Sequence, residues 1–214
     1  MPSTYPVGLV RTVGETLALS TTIASLGAYP GAHQVRLLVP SSDFRFQVGP
    51  RLLAAYFYDA SAAAGARFKV AGSSSSLAID LSDRATGTTT ASLLNSMQTN
   101  DFLYLCFTDT TSGIRITIGN TNGTASALTV GYRKNDDTWA GLTVTDNTES
   151  PAGTTLGATG TVTWTAVTDH KAIRLNEAVT EADAPVEGGF WIRLSVGTAL
   201  DASVTITNLW ALSK

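Results

Sequence analysis

The pieces FLYLCF (102–107), IRITI (114–118), TVTWT (161–165), FWIRLSV (190–196) and SVTIT (203–207) decide the fold of this chain. Each has the length of a strand, and Gly, Asn and Asp residues separate them. Within them apolar side chains recur at every second position, the period at which a strand presents one face to a core. Val162 and Trp164 point one way while Thr161, Thr163 and Thr165 point the other. Phe190, Ile192, Leu194 and Val196 face a core opposite Trp191, Arg193 and Ser195, and Val204 with Ile206 repeat the pattern. Upstream of these, Leu128, Val130 and Tyr132 share a face, and Asn122-Gly123 carries the residues of a tight hairpin turn. Lys134-Asn135-Asp136-Asp137 reads as the turn before Trp139. About ten such strands predict an all-β protein, a β-sandwich of jelly-roll-like architecture, in which each sheet buries one face.

The N-terminal half is less regular. Residues 1–30 carry Pro2, Pro6, Gly8, Gly14, Gly27 and Pro30 among short apolar pieces, and read as an extended arm that needs contacts elsewhere to become ordered. The sandwich domain is expected over 31–214. It begins with HQVRLLV (33–39) and FRFQV (44–48), in which Phe44, Phe46 and Val48 alternate with Arg45 and Gln47. Within Leu52–Val70, Leu52–Ala64 is rich in Ala and competes as a helix, but Tyr56, Phe57 and Tyr58 favour strand and ASAAAG favours a loop, so a hairpin is expected. Gly72–Ser76 and RATGTTT (84–90) read as loops around the strand LAIDL. At most one short helix is predicted, in ASLLNSMQT (91–99). The loops Asp146–Gly160 and Glu177–Gly189 exceed ordinary hairpin lengths, which marks them as places for recognition.

A chain of 214 residues suits one large β domain. Charged residues make up only 14% of it, below the roughly 25% of ordinary soluble proteins. Either an assembly hides part of the surface, or abundant Ser and Thr keep it polar without charge. The net charge of −3 and the lack of any basic run argue against direct nucleic-acid binding. No apolar run approaches the length of a membrane span, and MPSTYPVGLVRTVGE lacks the layout of a secretory signal, so neither a membrane protein nor a secretory precursor is expected.

The chemistry-bearing residues have ordinary readings. His33 and His170 lie in no metal or nucleophile motif and read as surface or strand-edge residues. Cys106, the single cysteine, reads as a buried small hydrophobe. The acids at Asp136, Asp137, Asp146, Glu149, Glu177, Glu181, Asp183 and Glu187 match no calcium loop and read as solvated turn residues. The glycosylation pattern Asn122-Gly123-Thr124 is already accounted for by the turn, and Gly119 and Gly123 precede a strand instead of the helix a phosphate loop needs. No catalytic residue, cofactor or metal is therefore expected. Trp139, Glu149 and Trp191 remain as a possible interaction surface, although an outward Trp on a sheet more often packs under a loop or a subunit than binds sugar.

The succession SGIRITIGNTNGTASALTVGYRKNDDTWAGL (112–142), VTDNTESPAGTTLGATGTVTWT (144–165) and GGFWIRLSVGTALDASVTIT (188–207), entered through QTNDFLYLCF (98–107), resembles a β-sandwich module of tailed-bacteriophage virion structural proteins. The likeness covers roughly half of the chain and lies in the order and spacing of strand and turn pieces. Gly131 stands where a charged or polar residue often precedes the Tyr, and Asn135-Asp136-Asp137 where the turn usually carries Gly. The resemblance implies a non-enzymatic protein of the virion serving in head decoration, tail or baseplate. The expected partners are the major capsid protein or other virion proteins, with further copies of the chain in a homo-oligomer. A capsid decoration or cement protein is the leading expectation. The alternative is a tail or baseplate module that binds carbohydrate or a receptor through the loops around Trp139, Glu149 and Trp191.

Overall fold

A computed structural model describes residues 50–70, 92–94 and 97–212. The expected arm at 1–30, the strands HQVRLLV, FRFQV and LAIDL, the loops at 72–76 and 84–90, and His33 lie outside the described residues. Their regular structure is almost entirely strand: β1 (Leu52–Tyr58), β2 (Phe68–Val70), β3 (Ser92–Leu93), β4 (Phe102–Phe107), β5 (Gly113–Ile118) and β6 (Leu128–Arg133). There follow β7 (Trp139–Leu142), β8 (Val144–Asp146), β9 (Gly160–Trp164), β10 (Ala172–Arg174), the short helix α1 (Leu175–Ala178), β11 (Gly188–Val196) and β12 (Thr205–Leu212).

These strands form two antiparallel sheets. The first runs β2-β1-β4-β11-β6-β7, with β10 also paired to β11; the second runs β3-β12-β5-β9-β8. One edge of the nine-residue β11 serves two partners, β10 along Gly188–Phe190 and β6 along Ile192–Val196. Strands late in sequence lie between early ones, β11 between β4 and β6 and β12 between β3 and β5. Such interleaving belongs to Greek-key and jelly-roll sandwiches and not to a meander.

The inner faces meet in one core. Leu103, Leu105 and Phe107 of β4, Leu128, Val130 and Tyr132 of β6, and Ile192, Leu194 and Val196 of β11 pack with Ile114, Ile116, Val162, Trp164 and Ile206 of the second sheet. The period-two reading of these strands therefore holds. Phe190 departs from it: the ring is half-buried and meets His170 edge-on at 5.3 Å, where β11 pairs with β10 instead of β6.

Two bulges shift the phase of the outermost readings. In β1 the register slips between Leu52 and Ala54, so Leu52 and Ala55 face the core while Leu53 points out. In β12 a slip between Ile206 and Asn208 sends Leu209 and Ala211 inward after Ile206. An extra residue on one strand inverts every position beyond it.

Two expectations of local structure need correction. Ser92 and Leu93 of the predicted helix ASLLNSMQT form strand, paired to Ile206 and Thr205, because sheet pairing outweighs a weak local propensity. The helix of the described residues is α1, with Leu175 and Ala178 three positions apart and both buried. Asn122-Gly123 makes no hairpin turn, since β5 and β6 belong to different sheets. Asn122 is 2% exposed, its amide donates to the Thr124 and Thr155 carbonyls, and its Oδ1 accepts from the Thr124 and Asp201 amides. Turn-like composition at that point serves a cross-sheet brace, and it leaves the Asn of the glycosylation pattern buried.

The Leu52–Val70 hairpin and the turn before Trp139 follow the expectation. Asp137 holds the left-handed conformation, with φ of 62°, that a glycine adopts at no cost and Asp tolerates better than most. The Thr138 hydroxyl and then the Lys134 ammonium hold the Asp136 carboxyl down at about 2. The bulge in β1 yields a sharp expectation. Leu52 is 5% and Leu53 44% exposed. Leu52→Ala is expected to cost about 2–5 kcal/mol and Leu53→Ala within about 0.5 kcal/mol, by urea unfolding; equal costs would refute the bulged register.

Candidate functional site

Among the described residues the outer face of the first sheet carries the densest aromatic cluster. Alternation that sends Leu103, Leu105 and Phe107 inward sends Phe102, Tyr104 and Cys106 outward, and the neighbouring strands add Tyr56, Tyr58, Trp191 and Trp139. Half of this face is covered by α1 and the segment that follows it. Leu175 and Ala178 pack on Ala54, Tyr104, Cys106 and Trp191, and the indole of Trp191 donates to the Ile173 carbonyl at 3.0 Å. Glu181 and Asp183 pin the covering segment. Glu181 accepts from Arg67 at 2.7 Å and from the Tyr58 hydroxyl at 3.1 Å, and Asp183 accepts from the Phe68 amide at 2.9 Å. Burial, with Glu187 adding to it, pushes the Cys106 thiol up to about 12.

The other half is open to solvent in part. One row of paired positions crosses five strands: Tyr56, Tyr104, Arg193, Gly131 and Gly141. Gly131 lets the Arg193 side chain lie across its strand, because a Cβ there would stand 3.3 Å from Arg193 Nε. The Arg193 guanidinium comes within 4.7 Å of the Phe102 ring centre and 4.6 Å of the Trp139 ring centre. Arg133, paired directly with Trp139 across the hairpin, places its guanidinium 5.8 Å from the same indole. Arg133 is only 9% exposed and its Nε has no hydrogen-bond partner. Two cations thus flank one indole, an arrangement the ring quadrupole favours.

Of the three residues singled out from the sequence, Trp139 and Trp191 belong to this cluster, but in different states. Trp191 is 0% exposed beneath α1, so it offers no stacking surface, in line with the reading that an outward Trp packs under its own chain. Trp139 is half-buried, its indole N–H donating to the Ala178 carbonyl at 3.4 Å. Glu149 lies apart, in the loop after β8 of the second sheet, where it accepts from the Gly153 amide. The sequence reading missed Arg133, Arg193 and Phe102. Arg193 was visible as a neighbour of Trp191 by phase, whereas the room made by Gly131 depends on cross-strand register.

His170 stands at a strand edge, bridged to Lys134 just before β10, but it is buried and not at the surface. Its ring packs edge-on against Tyr132 at 5.5 Å, and its Nε2 hydrogen-bonds the Trp191 carbonyl at 2.9 Å. The loop Asp146–Gly160 is likewise occupied with its own structure. Asp146 accepts from the Thr148 amide at 2.8 Å and from the Thr148 and Thr155 hydroxyls at 2.6 Å each, and Thr148 Oγ1 accepts from the Leu156 amide. Gly157 and Gly160 are required there, since a Cβ on either would come within 2.1 Å of a backbone oxygen. Among the described residues no three His, Cys, Asp or Glu side chains gather as a metal site would require.

Comparison of the chain with known protein families and with curated proteins finds no match.

Two outcomes are expected from this geometry. In the folded protein at pH 8 Cys106 should resist a thiol reagent and react fully only in denaturant, because its thiol stays protonated well above that pH; rapid labelling without denaturant would contradict the packing. Asp146→Ala, which strips three donors of one acceptor, should lower stability by about 2 kcal/mol or more in thermal or urea unfolding, and an unchanged midpoint would show the loop to be held otherwise.

Proposed function

We propose that this chain is a non-enzymatic structural protein of a tailed-bacteriophage virion, most specifically a capsid decoration or cement protein that contacts the major capsid protein and copies of itself. The observation that carries this reading is the ordered succession of strand and turn motifs from Ser112 to Thr207 that resembles the virion module. Those motifs form consecutive strands of an interleaved sandwich. The long loop after β8 is consumed by internal hydrogen bonds and the acidic segment after α1 is pinned to β2, which leaves sheet faces and edges as the surfaces for partners. An edge strand offers backbone groups to an incoming arm, so residues 1–30 of one copy would serve to reach a neighbour.

The test is the composition of the particle. The polypeptide should be present in purified virions in hundreds of copies, on the order expected for a head-shell component; its absence, or a few copies at the tail, would refute decoration. Deletion of residues 1–30 should reduce particle occupancy while the circular-dichroism spectrum of the sandwich is unchanged. Full occupancy by the truncated protein would remove the arm from the proposal.

The carbohydrate-binding alternative rested on Trp139, Glu149 and Trp191 acting together. With Trp191 wholly buried and Glu149 on the other sheet's loop, the three form no common platform.

A further inference from the structure

Arg133 and Arg193 share the outer face of the first sheet beside Trp139, and the described residues give neither one a carboxylate. Each acid around them has another partner. Glu181 is taken by Arg67 and Tyr58, Asp136 by Lys134, Asp137 by Lys171, and Asp169 by the Tyr132 hydroxyl. Arg193 has two aromatic rings, and Arg133 has the indole of Trp139. Burying a guanidinium nine-tenths from water while leaving its Nε unpaired is costly unless an anion completes it.

The ground beside them is shaped to admit a ligand. Gly131 and Gly141 are paired across β6 and β7, and a Cβ on Gly141 would meet nothing within 4 Å. Next to that row the small polar side chains of Thr129 and Ser195 pair with each other, their hydroxyls 3.1 Å apart. With Arg193 lying over Gly131, the open ground is a shallow trough at Gly141, bordered by Trp139 and Arg193. Among the described residues β7 is the last strand of its sheet, so its unpaired backbone groups point sideways at the sheet edge, next to the trough.

We propose that this trough is a docking site for an acidic, extended segment of a protein partner, whose carboxylate side chain is received by Arg193 and Arg133 against Trp139 while its backbone runs along β7. Charge complementarity selects the carboxylate, because the guanidinium fork is a donor-only group that matches two carboxylate oxygens. A neutral sugar is disfavoured: its hydroxyls need acceptors as well as donors, and the acids of this face are already engaged. The open edge favours an extended peptide, in which alternate side chains fall on one face of an added strand. The inference concerns the chemistry of one surface and does not depend on the virion reading; absence of the chain from virions would leave it intact.

The test uses the full chain and a fluorescently labelled peptide with Glu at every second position, with its Gln counterpart as control, followed by fluorescence anisotropy. The Glu peptide should bind at least about tenfold more tightly than the Gln peptide, and Arg193→Gln or Trp139→Leu should each weaken it about tenfold, with a further loss at higher salt. Arg133→Gln is expected to act alike; should it fail to fold, Arg193→Gln and Trp139→Leu, checked by circular dichroism, decide the matter. Equal binding of the two peptides, or undiminished binding by folded Arg193→Gln, overturns the proposal. Binding of polygalacturonate with none of the Glu peptide overturns it in favour of an acidic glycan.

Discussion

Burial of β4 and β11 on both faces is the constraint on which the rest of the structure depends. An antiparallel sheet ordinarily keeps one face wet. Here Leu103, Leu105 and Phe107 are buried against the second sheet, while Tyr104 and Cys106 on the same strand are buried on the opposite side, and β11 repeats the arrangement with Trp191. One sheet cannot hide both surfaces. The first therefore needs two covers, a complete second sheet on one side and the helix α1 with its acid-pinned continuation on the other. Four helical residues suffice because the segment is held by Glu181 and Asp183 and not by its own helical propensity.

The low charge content acquires a physical meaning in this setting. Uncharged hydroxyls do much of the internal work that ion pairs could do elsewhere: Thr148 and Thr155 close the loop after β8 onto Asp146, and Thr111 donates to the Gly113 and Leu212 carbonyls. Part of the Thr content is thus buried structure as well as polar surface. Hydroxyl networks of this kind satisfy loop backbone without the desolvation cost of paired charges.

How much the sequence disclosed follows from the range of each signal. Strand identity and facing at Leu128–Tyr132, Val162–Trp164 and Ile192–Val196 were legible because period two is a local property and those strands run without interruption. Beyond the bulges at Leu53 and Thr207 the phase changes, and no single-residue preference announces the slip. Asn122-Gly123 was misread because local turn chemistry is the same for a hairpin and for a segment passing between sheets. The buried state of Trp191 was legible in outline, as a Trp on the outer face that needs cover. Arg193 reaching Trp139 across Gly131 was not, since it depends on pairing between positions more than fifty residues apart in sequence.

The interleaved strand order also constrains how the chain is made. β4 and β6 are not neighbours until β11 fills the space between them, and β5 lacks one partner until β12 arrives. Both inserted strands, β11 from Gly188 and β12 from Thr205, follow every strand they join. During synthesis the earlier strands leave the ribosome with unfilled edges and an uncovered core, so closure must await the emergence of β11 and β12. Folding of this sandwich is therefore a late, global event, and the interval before it is when the nascent chain is most exposed to aggregation.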